Sequence, residues 1–503
     1  MRSLLNFNDR AAAQGGSVST ISSKSVVKLN QHIGLFGCVC IIIGMIVGSG
    51  IFVSPVGITR YVGSVGMSLT MWGAVGVFSM LCALCYAELG ACMPESGGEY
   101  IYVKHAWGDL IAFLSMWVNL ILINPIAVAA SSQIFAVYTL KPLYPYCEPP
   151  QKVVIIVACL AVALIVSINM YSVTMVTKLQ YLITACKVLS LVGVIVIGLV
   201  NIGQGQTENF QNSFQDTDYS LGSMCLAFYS GFWAFGGWNY LNYVTGEVIQ
   251  PTRNLPLGIM ISIIIVTVTY ILANIAYFSA LTPREILQSS TVVVSFLDQT
   301  VAPLSYVVPA LISLSVFGGM NGAVLSVSRL FYVAAKHHHL PGIIAMISVK
   351  SMTPVPSLLT MFVLITSMQF IGDIFSLIEM VGFSMSALLV LVFAGQVKLR
   401  WTAPALLRPI KVPLVVPAFL CLVCLVILCI TIYQKPTECF LAVIVITGGV
   451  PAYLIGCRWK KPKSIQNKLD CITKYLQILL LVSAQDEDYL IDNDPLTETS
   501  SIN

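Results

Sequence analysis

The sequence predicts an all-α polytopic membrane protein with twelve transmembrane helices, and three observations carry that prediction. The 503 residues are 57% hydrophobic and only 10% charged, where soluble domains average about 25% charged. The apolar residues fall in blocks long enough to cross the hydrocarbon core as helices, which takes roughly 20 residues. Lysine and arginine are unevenly shared between alternate loops. With both termini cytoplasmic, 20 lie inside and 5 outside, and Lys187 alone lies within a span. That is the asymmetry that orients a membrane chain. The net charge of +4 follows from it and points to no nucleic-acid partner.

Taken in order, residues 1–31 are polar, with Ser and Gln and no apolar core. They read as a cytoplasmic tail and not a cleaved signal peptide, so the first span is expected to act as the insertion signal. The membrane domain is expected over 32–457. Its spans are read at about 33–54, 65–92, 108–138, 152–170, 178–202, 222–246, 256–281, 303–334, 355–371, 375–397, 413–433 and 437–457. The first contains "GMIVGSGIFVSP", which crowds Gly44, Gly48 and Gly50 into seven positions. The fifth carries Lys187 about eight residues in, roughly 12 Å deep at 1.5 Å per residue. A snorkelling lysine belongs nearer a helix end, and an ionisable group at depth is functional by default. The sixth reads "FYSGFWAFGGWNYLNYVTGE", where Gly231, Gly236 and Gly237 interrupt the span among aromatic residues.

Spans one and six therefore carry matching breaks, five helices apart. Paired interrupted segments in corresponding halves point to a transporter site. Five helices, five more with inverted topology and two extra helices account for all twelve. Non-helical backbone survives at membrane depth only against protein or a water-lined cavity. It also exposes N–H groups at one half-helix end and carbonyls at the other, the partners of a zwitterion. The α-carboxylate is expected at the N–H groups of Ser49 and Gly50, aided by the helix-end dipole. The α-ammonium is expected at carbonyls around Ile46, Trp233 and Gly236. With Gly48 and Ala234, these form the candidate substrate-binding set. The competing reading is close helix packing, since Gly44 and Gly48 have small-xxx-small spacing.

The cysteines are mostly in spans or on the cytoplasmic side. Cys82–Cys85 and Cys421–Cys424 read as small core residues. Only Cys147 and Cys439 lie near the oxidising face. His337, His338 and His339 read as a solvated cytoplasmic loop and lack the ligands a metal site needs. No cofactor is implied.

The segments "IIIGMIVGSGIFVSP", "CYAELGACMPESGGEYIY", "GGWNYLNYVTGE", "RNLPLGI" and "FGGMNGAVLSVSRLFYVAAKHHHLP" resemble the L-type amino acid transporters, over about residues 28–482. These are light, catalytic subunits of heteromeric amino acid transporters in the amino acid–polyamine–organocation superfamily. The resemblance implies the LeuT fold, substrate at helices 1 and 6, sodium-independent amino acid exchange at the plasma membrane, and a single-span glycoprotein heavy subunit. It implies that Cys147, in "LYPYCEPP", bridges to that subunit; a lone cysteine on the oxidising side agrees. A free thiol or a bond to Cys439 are the alternatives. It implies that Lys187 stands where sodium-coupled relatives bind sodium, and that Trp233 covers the substrate from outside.

Departures from the family pattern bear on specificity. Met385 stands where the cystine/glutamate exchanger has Arg, which argues against a dedicated anion exchanger. Asn239 replaces the Asp of sodium-assisted dibasic members. Gly236 replaces the Asp of the broad-range dibasic exchanger, which shares Trp233. Asn124 precedes Pro125 where many members have Arg, and Gly246 leaves Glu247 alone near the inner end of helix 6. Glu379 faces either the pathway or an interface. The expected cargo is broad or large neutral amino acids, with cationic ones open. A neutral amino acid uniporter is the alternative, and a channel is the rival of another class, although no filter loop is present.

Residues 458–503 form the expected cytoplasmic segment. It opens basic, and Ile465, Leu469, Ile472, Leu476 and Leu479 recur at helical spacing. This reads as a helix on the inner leaflet or against the protein's own cytosolic face, with a disordered acidic end after Asp486.

Overall fold

The computed structural model describes residues 33–483 except 94–96, 145–146, 172, 290, 349–350, 352, 371–373 and 460–461. The expected tails, 1–31 and the acidic end, lie outside the described residues. So do the side chains of Gly246 and Glu247.

Helices dominate. The first span is two pieces, α1 (Leu35–Ile46) and α2 (Gly50–Val62), bent by 50° at the break. Then come α3 (Val65–Cys92), a short α4 (Glu99–Trp107), α5 (Asp109–Val118), α6 (Asn124–Leu140), α7 (Gln151–Tyr171) and α8 (Val173–Gly203). A π-turn over Asn119–Ile123 joins α5 to α6 into one long span. The second broken span is α9 (Leu221–Ala234) and a 3-10 stretch, Trp238–Glu247. There follow α10 (Pro251–Ala280), α11 (Pro283–Gln288), α12 (Val292–Thr300), α13 (Val308–Lys336), α14 (Val355–Met368), α15 (Ile374–Thr402), α16 (Val415–Gln434), α17 (Pro436–Tyr453) and α18 (Lys463–Leu480).

Among the described residues, eight helices are long and apolar enough to cross a membrane, and the bent α1–α2 pair makes nine. Helices also stand at the other three expected spans, at α9, α14 and α17, where the pieces are shorter. Short helices in the loops were not anticipated. The run 283–288 folds as α11 because Thr282 and Glu285 cap it reciprocally, Thr282 N–H donating to Glu285 at 2.7 Å.

The packing makes two groups around one site. α2 lies on α9, α3 on α10 and α1 on α10; α13 lies on α6 and α8, and α15 on α6 and α9. Pinning the C-terminal end of α3 is Glu88, 2% exposed at its side chain, which takes Arg400 Nη2 of α15 at 2.7 Å and the Val412 N–H at 2.7 Å. A buried carboxylate is tolerated there because charge and hydrogen bonds both satisfy it.

The histidine tract is solvated only in part: His338 is exposed, but its neighbours are held by α4. His339 is buried and its Nδ1 lies 2.9 Å from the Tyr100 hydroxyl of α4, while His337 Nδ1 lies 2.9 Å from Lys104 Nζ. The rings of Tyr100, Phe113 and Tyr453 close around His339. Among the described residues no group of three His, Cys, Asp or Glu could hold a metal. In the tail, α18 ends in a short strand, β2 (Val482–Ser483), paired antiparallel with β1 (Ile347–Ser348). Its Leu469, Ile472 and Leu479 are exposed.

Candidate functional site

The two breaks are shaped by contact with each other. A Cβ on Gly50, the first residue of α2, would collide with Ala234 Cα, the last residue of α9. A Cβ on Gly237 would sit 3.1 Å from the Met45 carbonyl carbon, and Gly237 has φ +122°, open to glycine alone. Each span is broken by glycine because the other's backbone occupies the space. Gly231 does not break its span: it lies inside α9, packed on Val75 and Ile58. The interruption is confined to 235–237.

Breaking a helix strands its terminal groups. Gly48 N–H turns back to the Ile46 carbonyl at 2.8 Å instead of reaching Gly44. The Gly44 carbonyl so released is taken by Lys187 Nζ at 3.0 Å. Lys187 is fully buried, and it lies midway along α8 because that helix starts earlier than expected, at Val173. Tyr270, on α10, places its hydroxyl 3.0 Å from the Ile46 carbonyl and 3.2 Å from the Ala234 carbonyl. One phenol thus bridges the C-terminal ends of α1 and α9. On the other side of the gap, no backbone carbonyl among the described residues takes the Ser49 or Gly50 N–H. The Ser49 hydroxyl pairs with Ser131 of α6 at 3.0 Å.

A single cavity runs along these breaks. Ile46, Gly48, Ser49, Gly50, Trp233 and Gly236 line it, as do Asn124, Asn239 and Met385. Ala234 is excluded: it is buried under Gly50 and serves the contact between the breaks. Lys187 stands behind the wall. The carbonyls expected to receive an ammonium are partly engaged already, Ile46 as above and Trp233 by the Gly236 N–H at 3.1 Å. Asn124 is held at both ends, donating to the Asn119 carbonyl at 2.9 Å and accepting from Tyr240 at 3.3 Å. Trp233 is half-buried, and its Nε1 has no partner among the described residues.

Glu379 is at an interface. The Tyr61 hydroxyl of α2 donates to one carboxylate oxygen, and Lys435 Nζ lies 3.0 Å from the other. Next to it, Arg60 stacks 4.1 Å from the Phe375 ring centroid. α2 is therefore strapped to α15. Cys147 is exposed and is not bridged to another cysteine of this chain, whereas Cys439 is buried.

Sequence reasoning missed Tyr270, Tyr240, Ser131 and Glu99. The first had a signal: a phenol in the middle of "IVTVTYILAN" must find an acceptor in an apolar setting. The others work through partners far along the chain, which no local pattern discloses.

The family model described as amino acid permease matches residues 33–450. The chain is 39% identical to the human cystine/glutamate transporter over 483 residues, 96% of each chain. It is 39% identical to the rat large neutral amino acids transporter small subunit 2, over 95% of this chain and 89% of that one. It is 40% identical to the mouse b(0,+)-type amino acid transporter 1, over 92% and 94% respectively.

Proposed function

The chain belongs to the amino acid permease family, and we propose that it works as a sodium-independent amino acid exchanger by alternating access. It is a multi-pass membrane transporter and not an enzyme. One observation carries the reading: two broken spans meet at one cavity whose wall offers the N–H groups of Ser49 and Gly50, with no backbone acceptor among the described residues, and carbonyls from α1 and α9. A zwitterion seated there has its carboxylate at Ser49 and Gly50 and its ammonium toward the carbonyls of Ile46, Trp233 and Gly236. Each charge-assisted bond contributes roughly 1.5–3 kcal/mol, which offsets the cost of stripping water from both charges.

Trp233 closes over the ligand. The unit of α1–α3 with α9 and α10 then rocks against α6, α8, α13 and α15, and the ligand leaves inward. Lys187 supplies at Gly44 the positive charge that a sodium ion supplies in coupled transporters. The cavity wall contains no Asp, Glu, Lys or Arg among the described residues, which supports neutral amino acids as cargo over acidic ones. The rat relative is named a small subunit. With the exposed Cys147, that supports a disulfide-linked heavy subunit, and the 20-to-5 lysine and arginine bias supports cytoplasmic termini for this chain. The family resemblance implies that the partner is single-span and the complex sits in the plasma membrane.

The test is uptake of labelled leucine into proteoliposomes. Preloading with unlabelled amino acid accelerates it, and replacing sodium with choline leaves it unchanged. Uptake that ignores the preload overturns exchange, and loss in choline overturns the role given to Lys187. Cys147→Ser should abolish the high-mass band on a non-reducing gel of plasma membranes.

A further inference from the structure

Glu99 is the first residue of α4, 1% exposed, and one of its oxygens takes Asn239 Nδ2 at 2.7 Å. A carboxylate only accepts, so it dictates which way the Asn239 amide faces. The NH2 group is committed to Glu99, which does not line the cavity, and Oδ1 is the end of the amide with no donor among the described residues. The segment is held a second time from α4: Tyr102 donates to Asn242 Oδ1 at 3.2 Å, and Asn242 Nδ2 donates to the Asn239 carbonyl at 3.3 Å.

Asn119 repeats the arrangement across the cavity. Its Nδ2 donates to the Ser115 carbonyl at 3.2 Å, another group that only accepts, so its Oδ1 is likewise the end of the amide left over. Asn124 differs, with both ends of its amide engaged. Among the described residues, neither Oδ1 has a donor, and both residues line the cavity.

We propose that Glu99 is a positioning residue for specificity: by locking Asn239 with its oxygen toward the cavity, it makes the site favour amino acids whose side chain donates a hydrogen bond. This rests on the cavity being the substrate site. The class it selects is neutral side chains bearing N–H or O–H, above acceptor-only side chains of the same shape. A neutral hydrogen bond of this kind changes affinity by roughly two- to tenfold.

The probes are glutamine and 5-oxonorleucine, its methyl-ketone isostere, which match in heavy-atom count and neutrality but differ in donor capacity. Each competes against labelled leucine in proteoliposomes of the full-length protein, and the ratio of their inhibition constants is the readout. The wild type should favour glutamine by roughly two- to tenfold. Glu99→Gln should bring the ratio near one, because a glutamine at 99 can receive the Asn239 NH2 or donate to its oxygen. Asn239→Val should do the same by removing the acceptor, and it decides the matter if Glu99→Gln does not fold. A wild-type ratio at or below one overturns the proposal, as does a wild-type ratio retained in either variant. Failure of the underlying reading looks different: the wild type then shows no saturable leucine uptake, or Trp233→Ala leaves it untouched.

Discussion

Replacing Gly50 with alanine tests the contact between the two breaks. The added methyl would meet Ala234 Cα inside van der Waals range, with Ala234 Cβ at 2.9 Å and Ala234 N at 3.0 Å. Carbon atoms pack at about 3.5–4.0 Å, so α2 and α9 must separate by about 1 Å. Backbone at a helix end cannot swing aside as a side chain does. Overpacking of this kind costs about 1–3 kcal/mol. The same movement stretches the 3.2 Å contact between Tyr270 and the Ala234 carbonyl past bonding distance, which costs about 1 kcal/mol more. The total, about 2–4 kcal/mol, falls on the junction that shapes the cavity. Gly50→Ala should therefore lower the unfolding temperature of the detergent-purified protein and reduce leucine uptake at equal surface expression. Gly193→Ala is the control: a Cβ there meets nothing within 4 Å, and its helix gains up to about 1 kcal/mol. Wild-type uptake and stability in Gly50→Ala would refute the claim that the breaks abut.

Three further outcomes follow from the geometry. Lys187→Met leaves the Gly44 carbonyl buried without a donor, a penalty of about 1–3 kcal/mol, so uptake should collapse while Lys187→Arg retains part of it; full uptake in the methionine variant would remove Lys187 from the account. Glu379→Gln removes the charge that Lys435 pairs with and weakens the strap from Tyr61 of α2 to α15. A cysteine-reactive probe at an engineered cavity cysteine should then react faster from outside than in the wild type; an unchanged rate would show that the strap does not hold the outer side closed. Burial holds the His339 pKa below the usual histidine value, with Lys104 and His338 adding to the effect and Asp109 opposing it. Its neutral form is the folded one, so its stabilising contribution is present above the unfolded pKa of about 6.5 and is lost as pH falls below that. Between pH 7 and pH 5 the wild type should lose thermal stability more steeply than His339→Gln, and parallel curves would dismiss the effect.

The helices, the break at 47–49 and the buried lysine were legible because each leaves a local mark: an apolar block, clustered glycine, a charge inside a span. Gly231 was misread because glycine at a break and glycine at a packing contact look alike in sequence. Only the neighbours, Val75 and Ile58 for Gly231 but the Met45–Ile46 peptide for Gly237, tell them apart. The start of α8 was placed five residues late because its polar first turn does not read as part of an apolar span. Glu99 and Tyr270 stayed silent since their partners are 140 and 224 residues away in the chain. His339 looked solvent-exposed for a similar reason, its Tyr100 partner on α4 preceding it by more than two hundred residues.

The most direct measurement is a density map of the protein with leucine bound. The account predicts the leucine carboxylate within hydrogen-bond distance of the Ser49 and Gly50 N–H groups, its ammonium facing the carbonyls of α1 and α9, and Trp233 against its side chain. Leucine lodged elsewhere, or continuous helix through 47–49 and 235–237 in that state, would contradict it.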